Sequence, residues 1–187
     1  MPLKPYRDYS EHDVINGVFK FVSAAGTGDA GVPVVISNSG FNGSNATPAI
    51  SSNLASALNN GNTYSPRWTI YPAVTGATSG QIPLGITLYK TLEENQFGYS
   101  YLYDKQRKEE AEAVVSGEAV PILTKGKVAV YVGTGASPAP APGRYVIVNG
   151  AGTIGASTNT TGAWGKWLGG VDADGYAVMM FDCVSAR

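Results

Sequence analysis

The chain has 187 residues, a net charge of -1 and only 14% charged side chains. Its Lys and Arg are scattered rather than striped, which excludes a polyanion partner, because nucleic-acid binding needs a dense cationic surface to displace counterions. With 43% apolar residues, 24 Gly and 11 Pro, the composition excludes disorder and describes short strands joined by many turns.

No run approaches the roughly 18 apolar residues of a membrane span, and the first residues lack the apolar stretch of a signal peptide. Neither membrane insertion nor signal-directed secretion is expected. Cys183 is the single cysteine, so no intrachain disulfide forms. That suits a reducing cytoplasm, and the thiol is expected to pack in a core.

The densest signals come first. Pro5 to Gly17 mixes aromatics, both charge signs and the one histidine, His12. Ser10 is placed to cap a short helix whose third residue is Asp13, with Tyr9 and Val14 as a hydrophobic staple and Gly17 as its end. One or two turns fit, and so short a helix needs something to hold it.

Alternation then predicts a strand over Val18 to Val22 and another over Val32 to Ile36, starting late or lying at an edge because of Pro33. Residues 37–66 read as a polar surface loop, with Ile50, Leu54 and Leu58 marking a short amphipathic helix over 49–58. Strands resume at Arg67 to Tyr71 and Ile82 to Tyr89. Phe97, Tyr99, Tyr101 and Tyr103 fall at period two, so one strand face would carry four rings. Core packing and an aromatic contact surface both fit that spacing. Asp104 to Glu112 is sign-balanced and reads as a solvated helical turn.

The last third is the most regular. Val114 to Leu123, Lys127 to Val132, Arg144 to Val148 and Tyr176 to Asp182 are β-rich runs punctuated by Gly126, Gly133, Gly143 and Gly175. Ser137 to Pro142 alternates with proline and is stiff. Asp172-Ala173-Asp174-Gly175 reads as a hairpin turn rather than a calcium loop, because the later ligands are missing. In Trp164-Gly165-Lys166-Trp167 an extended backbone would put the two rings on opposite sides, one in the core and one free for a partner. The fold class is therefore all-β: an antiparallel barrel or sandwich with an extended N-terminal arm containing a short helix.

Catalytic chemistry is not visible. Gly150-x-Gly152-x-x-Gly155 matches a dinucleotide loop, but residues 156–162 are poor helix formers and no helix N-terminus would meet a pyrophosphate. One His and one Cys do not make a zinc set, and no G-x-S-x-G elbow occurs. No catalytic residue, metal or cofactor is expected, and the chain is not expected to be an enzyme.

Two stretches carry a resemblance. Pro5-Tyr6-Arg7-Asp8-Tyr9, followed by Glu11-His12-Asp13-Val14-Ile15-Asn16, resembles the opening of the capsid decoration, or cement, proteins of tailed bacteriophages. Ser116-Gly117-Glu118-Ala119-Val120-Pro121-Ile122, closing at Gly126, is similar to a strand-turn of the same proteins, more loosely. The resemblance implies a structural virion protein, assembled in the host cytoplasm, that sits on the outer capsid surface and cements neighbouring major capsid subunits. It implies a homo-oligomer, a trimer rather than a dimer, with no nucleic-acid or membrane partner.

Residues 1–24 would be the docking arm and 25–187 the β-rich decoration domain. Tyr6, Arg7, Asp8, Tyr9, His12 and Asp13 would touch the capsid, with Arg7 offering its fork to a carboxylate. Tyr99, Tyr101, Trp164 and Trp167 are the candidates for oligomer or partner contact. The alternative is a head fibre or adhesin whose polar loops contact host glycan.

Overall fold

The structure, a computed structural model, describes residues 3–8, 10–19, 30–36, 73–92, 97, 101, 105–115, 118–150 and 152–183. It is all-β, as the sequence predicts. The strands are β1 (Leu3–Asp8), β2 (Val14–Phe19), β3 (Pro33–Ile36), β4 (Ala73–Gly76), β5 (Gly85–Thr87), β6 (Lys90–Thr91), β7 (Ala113–Val114), β8 (Ala119–Leu123), β9 (Lys125–Tyr131), β10 (Tyr145–Asn149), β11 (Thr153–Ser157), β12 (Gly165–Trp167) and β13 (Tyr176–Asp182). Among the described residues the helical elements are one 3-10 turn, Glu11–Asp13, and α1, Lys105–Glu110.

Among the described residues two large β assemblies stand beside a small parallel pair, β6 with β7. One is a six-stranded sheet in the order β1-β9-β13-β12-β10-β11, and the other is a closed barrel in which pairing runs β2-β4-β3-β5-β8 and returns to β2. A single residue, Thr124, separates β8 of the barrel from β9 of the sheet. The barrel encloses Val32, Val34, Val74, Val114, Val120 and Ile122. A larger core joins Ile86 and Leu123 of the barrel, and Leu88 just after β5, to Val128, Val146, Trp167, Met179 and Phe181 of the sheet. Each such aliphatic side chain stabilises by about 1.5–3 kcal/mol on full burial, so this shared core binds the two assemblies together.

The clearest expectations hold where alternation is strict. β13 occupies Tyr176–Asp182 as predicted, with Ala177, Met179 and Phe181 buried and Met180 exposed between them. The Asp172 turn also holds: its Oδ1 accepts from the backbone N–H of Asp174 at 3.0 Å and of Tyr176 at 2.8 Å. Ser10 caps the 3-10 turn, its Oγ accepting from His12 N–H at 3.3 Å.

Several expectations need correction. Gly17 does not end a helix; the turn stops at Asp13 and Gly17 lies inside β2. A Cβ there would stand 2.8 Å from Ile122 Cδ1, so the glycine admits β8 and β4 to close approach. Within 1–24 the described strands belong to the body of the fold: β1 is an edge strand of the sheet and β2 is a barrel strand. Residues 97 and 101 lie in turns instead of one strand face, with Phe97 exposed and Tyr101 buried. The strand predicted over 82–89 shortens to β5.

Beyond Gly155, Ala156 and Ser157, read above only as poor helix formers, continue a strand. Gly150 (φ 62°) and Gly152 (φ 70°) turn the chain from β10 into β11, which explains the dinucleotide-like glycine spacing by hairpin geometry. The predicted helix at 49–58, the strand at 67–71 and the polar loop 37–66 lie outside the described residues.

Candidate functional site

The row of residues that crosses the six-stranded sheet sets the site. Register aligns Ser157, Tyr145, Lys166, Met180, Lys127 and Asp8 on neighbouring strands, one from each. Side chains aligned this way share one face. The next row on that face pairs Asp182 with Lys125. Lysines, a methionine and a tyrosine therefore project together from a sheet whose other face is core.

Over the β9–β13–β12 end of this face runs the turn from β1 into β2. Between them lies a cleft of about 620 Å³, lined on the turn side by Asp8, Ser10 and Asp13. Lys125, Lys127, Lys166, Met180, Asp182 and Trp164 are among the residues on the sheet side. The turn is fixed from beneath, because both the backbone N–H and the hydroxyl of Thr124 donate to the Asp13 carbonyl at 2.8 Å.

Charges at the rim are matched. Lys127 Nζ donates to Asp8 Oδ2 at 3.0 Å, and Lys125 Nζ lies 3.4 Å from Asp182 Oδ2. Lys166 instead lies over the Tyr145 ring, 5.7 Å from its centroid, a cation–π contact. In the wall, Trp164 packs edge-on against Phe181 with centroids 5.2 Å apart. The Trp164 indole N–H is buried without a hydrogen-bond partner, which costs about 1–3 kcal/mol. Just behind the cleft Cys183 is half-buried, and burial, helped by the neighbouring Asp182 carboxylate, pushes its thiol from the usual 9.0 up to about 12. It is a packing thiol and a poor nucleophile at neutral pH.

Of the residues singled out in sequence, the structure brings Asp8 and Asp13 to this cleft. His12 is exposed on the 3-10 turn next to it. Tyr6 and Arg7 lie in β1, where Arg7 is in register with Val128. Tyr9 and Tyr99 lie outside the described residues. The remaining aromatics are corrected from partner contacts to core residues of the chain itself. Tyr101 packs with Ala113 and Val115, while Trp164 and Trp167 are 2% and 0% exposed. Trp167 spends its indole N–H on the Gly155 carbonyl at 3.3 Å.

Lys125, Lys127, Lys166 and Met180 were not singled out. Their alternation on strands was a usable signal for a shared face, but their registration with Asp8 depends on a pairing across more than a hundred residues.

A cleft with matched ions at its rim and apolar walls suits contact with a folded or extended partner. Among the described residues no three His, Cys, Asp or Glu side chains gather as a metal-binding group. No family model matches the chain, and no curated protein does either.

Proposed function

We propose that the protein is a virion structural protein that decorates a tailed-phage capsid and cements its major capsid subunits. The observation that carries the reading is the adjacency of the two stretches that resemble decoration proteins. Residues 14–18 pair antiparallel with 119–123, Val14 opposite Leu123 and Asn16 opposite Pro121. Two motifs more than a hundred residues apart therefore form one two-stranded piece of the barrel, so the resemblance falls on a single contiguous element.

The docking residues in this reading are Tyr6, Arg7, Asp8, Tyr9, His12 and Asp13, of which Asp8, His12 and Asp13 lie beside the cleft or on the 3-10 turn. The mechanism is mass action. A protein that binds the expanded shell and not its precursor stabilises the expanded shell by its binding free energy, and repetition over many sites makes the sum large.

The test is binding to undecorated, expanded capsids of the phage whose genome carries the sequence, wild type beside Tyr6→Ala/Arg7→Ala/Tyr9→Ala. Binding by wild type with a rise in the shell's melting temperature, both lost in the triple variant, is expected. Binding without any gain in shell stability would reject cementing and favour attachment of a head fibre, to be followed on host cells.

A further inference from the structure

Asn-Gly dipeptides occur in the chain at 16–17, 42–43, 60–61 and 149–150. The pair has a chemistry of its own, because glycine has no side chain to shield its backbone nitrogen from the asparagine amide just before it. Whether that chemistry runs depends on how tightly the fold holds the backbone. The first and last of these dipeptides lie among the described residues, and they are held in opposite ways.

Asn16 and Gly17 sit inside β2, which pairs with β8 along residues 14–18 and with β4 from Val18 on. Gly17 is buried opposite Val120. Moving its nitrogen onto the Asn16 side chain would open the barrel wall.

Asn149 and Gly150 are both exposed, at the turn of the β10–β11 hairpin. Asn149 is the last residue of β10 and pairs with Thr153, after which Gly150 turns the chain at φ 62°. β12 reaches along β10 only to Val146. Among the described residues neither the Gly150 N–H nor the Asn149 side-chain amide makes a hydrogen bond. Room comes from the neighbouring strand: a Cβ at Gly155 would stand 2.9 Å from Asn149 Cβ and 3.5 Å from its Cγ and Nδ2. With glycine there, the amide is free to rotate.

We infer that Asn149–Gly150 is a self-modifying site, at which the chain converts its own asparagine to aspartate and isoaspartate. The Gly150 nitrogen attacks Asn149 Cγ. The new N–Cγ bond closes a succinimide ring, the Cγ–Nδ2 bond breaks, and ammonia leaves with the Gly150 proton. Water then opens the ring. Opening at the former side-chain carbonyl gives aspartate, and opening at the Asn149 backbone carbonyl gives isoaspartate, whose main chain is longer by a methylene. Nothing is oxidised or reduced, and water is the co-reactant. Either product places a new carboxylate on the sheet face that carries Tyr145 and Lys166, because residues 145, 147 and 149 of β10 share a side.

The inference does not rest on the shell reading. The full chain is kept folded in warm, mildly alkaline buffer, sampled over weeks and digested with trypsin. Cleavage after Arg7 and Lys20 isolates Asn16 within 8–20, and cleavage after Arg144 and Lys166 isolates Asn149 within 145–166, where fragment ions separate it from Asn159. Conversion is read as the mass gain of an amide replaced by an acid. At Asn149 it is expected to outpace Asn16 by about tenfold or more, because the hairpin end needs only to fray whereas β2 must leave the barrel. In guanidinium chloride the two positions are expected to convert at similar rates, since the fold alone separates them. Asn149→Gln, whose ring would need an extra atom, is expected to abolish conversion at that position with an unchanged far-ultraviolet spectrum. Equal rates in the folded chain overturn the inference. So does conversion at Asn159 in place of Asn149, or a native Asn149 that stays intact while the unfolded chain is converted.

Discussion

The Asp8 carboxylate accepts a hydrogen bond from the Lys127 ammonium at 3.0 Å, across 119 positions of sequence. That contact closes the last step of the row that crosses the sheet, and it fixes one lip of the cleft. Its side chains are 64% and 41% exposed, so water and salt screen it heavily. A double-mutant cycle with Asp8→Ala and Lys127→Ala is expected to give a coupling below about 1 kcal/mol that shrinks further in high salt. A coupling of several kcal/mol would mean that the pair is desolvated, contrary to this exposure.

Glycine in the barrel wall makes a graded prediction. A Cβ at Gly17 would meet movable side-chain ends, Ile122 Cδ1 at 2.8 Å and Val74 Cγ1 at 3.0 Å. One at Gly85 would meet the Leu123 backbone carbonyl, which cannot yield without moving β8. Gly17→Ala is expected to cost about 1–3 kcal/mol, as overpacking does, and Gly85→Ala distinctly more. Urea unfolding of the two variants reads the order directly, and equal costs would contradict the barrel geometry.

The two tryptophans differ in what their indole N–H groups do. Trp167 donates to Gly155 at 3.3 Å, whereas Trp164 buries its N–H without a partner. Replacement by Phe removes a hydrogen bond in the first case and a desolvation penalty in the second. Trp164→Phe is therefore expected to be less destabilising than Trp167→Phe by about 1–2 kcal/mol, as measured by chemical denaturation. The opposite order would show that Trp164 gains something from its nitrogen.

Cys183 carries a pH dependence. Its thiol ionises near 9.0 in the unfolded chain and near 12 in the folded one, so folded protein resists losing that proton. Below pH 9 the contribution is constant. Between 9 and 12 the unfolded chain ionises first, and stability falls by up to about 1.4 kcal/mol per pH unit from this group. Cys183→Ala is expected to flatten that part of the stability curve. At neutral pH the thiol should react with alkylating reagents far faster in denaturant than in the native state, and equal rates would contradict its burial.

Sequence legibility followed the range of the forces involved. β13, β10 and the Asp172 turn were readable because alternation and an aspartate side chain act over a few residues. Gly17 was misread because its reason is remote: the glycine is required by Ile122 and Val74, not by a helix end. β11 was not read as a strand because Gly155 and Ala156 weaken the strand preference of Thr153 and Ile154, and pairing with β10 overrides it. Trp164 and Trp167 were separable in sequence only by assumed alternation, yet both are covered by the chain's own core. Of the candidate site, the acidic half at Asp8 and Asp13 was visible early, while the lysine half awaited knowledge of which strands are neighbours.

The placement of β1 and β2 also sets an order of events during synthesis. β2 pairs with β4 and β8, and β1 pairs with β9. A chain leaving the ribosome therefore meets the first partner of β2 at β4, the second only at β8, and the partner of β1 only at β9. Contacts of such long sequence separation are slow to form because loop closure precedes their reward. The β1–β9 and β2–β8 pairings are therefore expected to form slowly.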